Sequence, residues 1–86
     1  MIPLSDQWGP FRDGLDAGER LARLRSLRAL ARVHCGPRGA DLVALLARAE
    51  TDPAALEPAL HALDRLAAND RRHILASYAA LARPAA

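Results

Sequence analysis

Leucine and alanine supply most of the 51% of this chain that is hydrophobic, and only one Trp, one Tyr and one Phe accompany them. β-Branched residues are almost absent. Strands draw on β-branched and aromatic side chains, whereas Leu and Ala are strong helix formers, so a sheet has almost nothing to be built from. An all-α fold follows. At 86 residues the chain makes one domain, residues 1–86, and a domain of that size buries roughly two-thirds of its unfolded surface. A deep catalytic cleft beside the core is hard to build on that scale. The single cysteine, Cys35, excludes an intrachain disulfide and fits a reducing compartment. No segment approaches the roughly 20 uninterrupted apolar residues of a membrane span, and no basic stretch precedes an apolar run at the N-terminus. The chain reads as soluble and cytoplasmic, without a membrane partner.

Punctuation by Pro, Gly and capping residues divides the chain. Residues 1–12, with Pro3, Gly9 and Pro10, read as an irregular N-terminal arm whose Ile2, Leu4, Trp8 and Phe11 fold back on the rest. Trp8 and Phe11 have a second reading as interface anchors, since aromatic residues dominate binding hot spots. The helical bundle occupies 13–83. A first helix runs from Asp13 or Asp16 to His34 and stops at Gly36-Pro37. Its apolar residues fall on two flanks, Leu24, Leu27, Leu30 and Ala31 against Leu15, Ala22, Ala29 and Val33, which predicts a central helix packed from two sides. A second helix, Arg38 to Glu50, turns Leu42, Val43, Leu45, Leu46 and Ala49 inward. Asp52 caps a third helix with Pro53 at its first position and Pro58 splitting off a short first turn. That helix buries Leu56, Ala59, Leu60, Leu63 and Ala67 and turns Glu57, His61, Asp64 and Arg65 outward. Asn69-Asp70 caps a fourth helix, Arg71 to Arg83, burying Ile74, Leu75, Tyr78, Leu81 and Ala82. The expected architecture is a compact orthogonal or up-down bundle of four main helices.

The net charge of +2 hides a block layout made with arginine alone. Arg20 to Arg38 holds six arginines and no acid, residues 39–70 hold six acids and two arginines, and residues 71–86 return to three arginines. Such blocks serve either a polyanion or one another. Arg25, Arg28 and Arg32 lie within about 60° of one another around the first helix, and none has an acid three or four residues away. Their anions must come from elsewhere, and the acidic middle block is the intramolecular source. Arg71 and Arg72 stand at a helix N-terminus, where the macrodipole disfavours positive charge. Local stability does not explain them, so this pair is the strongest candidate for an external anion or partner.

Catalysis finds little support. His34, Cys35, His61 and His73 match no zinc spacing and read as structural, and no metal or cofactor is implied. Phosphate-loop and dinucleotide fingerprints are absent. The second and third helices could be arranged as a helix-turn-helix, which a sequence pI of about 9.5 invites. The would-be recognition helix, however, opens Pro53-Ala54-Ala55-Leu56-Glu57-Pro58 and offers carboxylate and methyl groups to a polyanion. Any nucleic-acid contact would fall to Arg25, Arg28, Arg32, Arg71 and Arg72, gripping phosphate more than reading bases. The sequence therefore favours a non-catalytic regulator or adaptor that binds a protein, over a nucleic-acid-binding protein with an arginine surface. A homodimer pairing the first helix across a two-fold axis is compatible with either class.

Overall fold

The computed structural model describes residues 9–12 and 14–82. Ile2, Leu4, Trp8, Arg83 and Pro84 lie outside them. The fold is all-helical and compact, with a Cα radius of gyration of 11.8 Å. A 3-10 turn, Gly9–Phe11, precedes α1 (Ala17–Cys35), α2 (Ala40–Ala49), α3 (Leu56–Asp64) and α4 (Ala68–Ala82). Only α1, α2 and α4 reach ten residues, so four comparable main helices are realised in part.

Local chemistry explains most boundaries. The Asp16 carboxylate accepts from the Gly18 and Glu19 amides and starts α1, so Asp16 is the capping aspartate. Gly36 ends it with φ +56 and ψ −134, a conformation that side chains disfavour, and its N–H returns to Arg32 O. Residues 36–39 tighten into a 3-10 turn, which moves the start of α2 from the expected Arg38 to Ala40. Asp52 accepts from the Ala54 amide, and Pro53 opens a 3-10 turn, Pro53–Ala55, that leads into α3. Pro58 falls in the first turn of α3, where its missing N–H has no intrahelical acceptor to lose.

The fourth helix departs from expectation. It begins at Ala68, and Asp70 sits inside its first turn instead of capping it. The reason is a tertiary partner: both Asp70 carboxylate oxygens accept from the Arg38 guanidinium at 2.9 Å, across the gap between the 36–39 turn and α4. Arg38 holds the Asp70 carboxyl below the usual carboxylate range, while burial pulls in the opposite direction.

The core is one cluster, with Leu24, Leu27, Leu42, Leu46, Leu63 and Ile74 fully buried inside it. The inward faces of α2 and α3 are largely those expected, although Ala67 is exposed in the turn after α3. In α4, Ile74 and Tyr78 are buried and Leu75 is half-buried, but Leu81 is 66% exposed. Helix α1 touches α2, α4, the 3-10 turn at Gly9–Phe11 and the 36–39 turn, and it buries Leu24, Leu27, Ala31 and Cys35. Among the described residues its second flank is largely uncovered, although Leu15, ahead of the helix, is half-buried. Ala22 and Ala29 are exposed and Val33 is 77% exposed, because α2 and α4 both lean on the Leu24–Leu27–Ala31 side.

Candidate functional site

The arginine stripe of α1 meets its anion at the end of α2. Glu50 is largely enclosed and lies 3.3 Å from Arg25 Nε and 2.6 Å from Arg28 Nη1. The Arg28 contact is off the hydrogen-bond axis, and no directed donor reaches Glu50 Oε2. It is therefore an electrostatic pairing first. One carboxylate thus serves two guanidinium groups, and it comes from the acidic middle block. Arg32, one turn further along α1, is exposed and has no ion pair among the described residues.

Arg71 has a local role that the helix-terminus argument missed. It stands near the start of α4, but its Nη1 donates to Asp64 O at 2.7 Å and to Leu66 O at 3.4 Å. Asp64 closes α3, so the cation sits on the carbonyl end of the preceding helix, where positive charge is favoured. Arg72 points to solvent without a partner among the described residues. The five arginines are therefore differently engaged. Two are tied to Glu50, one closes the α3–α4 corner, and Arg32 and Arg72 are free on different helices.

Of the two aromatic anchors, Phe11 is buried, which favours its packing role, and Trp8 lies outside the described residues. The turn carrying Phe11 is fastened to α1 by Arg20 Nη1 donating to Pro10 O at 3.0 Å and Arg23 Nη1 donating to Gly9 O at 3.2 Å. Phe11 forms one end of a cleft of about 680 Å³. The start of α1 supplies Arg20, Leu21 and Leu24 to its walls, the end of α2 supplies Ala49 and Glu50, and α3 supplies Leu56, Glu57 and Leu60. A mostly apolar concavity of this volume with a few polar groups at its edge is the usual form of a binding site. Spacing within any one helix could not reveal it, because residues of three helices and the turns between them line it together.

On the α1–α4 seam, His34 Nε2 lies 3.0 Å from Ser77 Oγ and the His34 and His73 rings are 5.9 Å apart. Cys35, next to His34 in sequence, is buried, and burial pushes its thiol above the ordinary value. His61 is on α3, away from this seam. Among the described residues no group of three or more His, Cys, Asp or Glu side chains is placed to hold a metal ion, and no helix is long and apolar enough to cross a membrane. No family model, curated protein or solved structure matches this chain.

Proposed function

We propose that this chain is a non-catalytic regulator or adaptor that binds a protein partner, acting as a single cytoplasmic domain. The observation that carries the reading is the double engagement of Glu50: two of the three stripe arginines are already neutralised inside the fold, which leaves a polyanion less to hold. Arg20, Arg23 and Arg38 of the same block are also engaged within the fold, and Arg71 is committed to the end of α3. The apolar cleft beside Glu50 is the alternative binding surface.

The nucleic-acid reading keeps one specific support, the exposed and unpaired Arg32 and Arg72. Fluorescence anisotropy with a generic DNA duplex separates the two. Affinity resting on phosphate contacts falls steeply between about 50 and 200 mM salt, because each neutralised phosphate releases counterions. The expected result is negligible duplex binding at physiological salt. Glu50→Gln, which removes the internal anion, is expected to raise binding at low salt. Tight, salt-sensitive duplex binding by the unaltered protein, lost when Arg32 and Arg72 are changed to Glu, would overturn the proposal.

A further inference from the structure

We infer that the cleft between α1, α2 and α3 receives one amphipathic helix of a partner protein, with a basic residue set against Glu57 and an acidic residue set against Arg20. The inference rests on the protein-binding reading above and names the surface and the chemistry of the occupant.

The walls dictate the form of that occupant. All of them are helices or helix-capping turns, and there is no strand among the described residues, so an extended peptide would find no edge to pair with. Such a peptide would carry unpaired N–H and C=O groups into an apolar groove, where their desolvation goes uncompensated. A helix brings its main-chain hydrogen bonds already made and asks the groove only for apolar contact. The half-buried Leu15, Leu21 and Leu56 provide that contact, over a floor of buried Leu24, Leu60 and Phe11. The i, i+3, i+4 and i+7 side chains of one helical face are the natural complement.

Charge then sets the pattern at the edges. Glu57 on the α3 wall is exposed and makes no ion pair among the described residues. On the α1 side of the same cleft, Arg20 donates to a carbonyl, Pro10 O, and has no carboxylate partner among the described residues. Glu50 is already engaged with Arg25 and Arg28 and adds little demand of its own. The cleft therefore presents one unmet negative charge from α3 and one unmet positive charge from α1. A helix with the opposite signs flanking its apolar face satisfies both, and a helix of uniform charge opposes one of them.

The probe is a displayed library of single helices with apolar residues held at i, i+3, i+4 and i+7 and Lys, Glu or Ser varied at the flanks. It is selected on the full 86-residue chain, and the winners are measured as synthetic peptides by anisotropy. The expected winners carry Lys on one flank and Glu on the other. Binding should weaken about three- to tenfold for Glu57→Arg, and recover when the peptide's Lys is changed to Glu, as the reversal of a rim ion pair predicts. Glu57 is exposed, so circular dichroism is expected to show Glu57→Arg folded as the parent is. Chemical-shift changes should centre on Leu21, Leu56 and Leu60. Winners that shift resonances on the Val33 or Leu81 faces instead would overturn the inference while leaving a protein-binding role standing. Winners indifferent to Glu57→Arg, a library that yields none, or a cleft filled by a second copy of the chain at high concentration would each overturn it as well.

Discussion

Gly39 shows how tightly α1 and α2 are joined, and Gly39→Ala puts a number on it. Gly39 is buried at the start of α2 with φ −100 and ψ 12, a backbone conformation open to any residue, so no φ penalty enters. A Cβ placed there would lie 2.7 Å from Cys35 Cβ and 3.4 Å from Cys35 Sγ. The first distance is far inside carbon–carbon contact. Cys35 Cβ is fixed to the α1 backbone and cannot rotate away, so the two helices must separate by several tenths of an ångström. Overpacking of this kind costs about 1–3 kcal/mol. Against it stands a gain of about 0.4–1 kcal/mol from the less flexible unfolded chain. The expected net loss is therefore about 1–2 kcal/mol, read from urea denaturation followed at 222 nm, and roughly 4–8 °C of Tm per kcal/mol in a domain of this size. Cys35→Ala removes only Sγ and should not relieve the clash, whereas in a Cys35→Gly background the cost of Gly39→Ala should largely vanish. That difference is a coupling of about 0.5–3 kcal/mol in a double-mutant cycle. A Gly39→Ala protein as stable as its parent, or relief by Cys35→Ala, would refute the reasoning.

Other outcomes follow from the same geometry. Leu63→Ala, at a fully buried position in α3, should cost about 2–5 kcal/mol in chemical denaturation. His61→Ala, half-buried on the same helix, should cost a small fraction of that, and equal losses would mean that the inward face of α3 is misassigned. Asp70→Asn should destabilise the protein at neutral pH, because the folded state holds this carboxyl below its unfolded pKa and so draws stability from its ionised form. That contribution is present above the unfolded value of about 4 and disappears as pH falls through the lower folded value, so the two denaturation curves should converge in acid. A gap that persists at low pH would remove Arg38–Asp70 as its cause. Val33→Ser should leave stability unchanged at every protein concentration, since Val33 is open to solvent in this chain. A concentration-dependent loss would instead place this flank of α1 in a homodimer.

Helix ends were legible in the sequence wherever the stop or start was chemically local. Asp16, Gly36 and Asp52-Pro53 each act on backbone groups within four residues, and short-range rules find them. Asp70 failed the same rules because its carboxylate is claimed by Arg38, 32 residues away in sequence. Arg71 failed for a related reason: the helix end that it serves belongs to α3 rather than to its own helix. For the arginine stripe, the absence of intrahelical acids pointed to an anion elsewhere, and the charge blocks indicated the region. Which acid answered depended on how α2 lies against α1. The outer flank of α1 looked like core because Ala and Val there have helical spacing, but spacing records only that residues share a face and not whether anything covers it.

The place of α1 among its neighbours bears on the order in which the chain assembles. Helices α1, α2 and α3 meet their sequence neighbours through short turns, so each pairing closes a small loop. Helix α4, by contrast, lies on α1 and has the whole of α2 and α3 between itself and that partner. Docking it closes the longest loop among the pairings of these four helices and carries the largest entropic cost of them. The α1–α2–α3 segment is thus the natural early-forming unit, with Ile74 and Tyr78 sealing it last. In native-state hydrogen exchange, the α4 amides would open together at a lower free energy than those of α1, and an early stop in translation before residue 68 would leave the α4-facing side of α1 open to water.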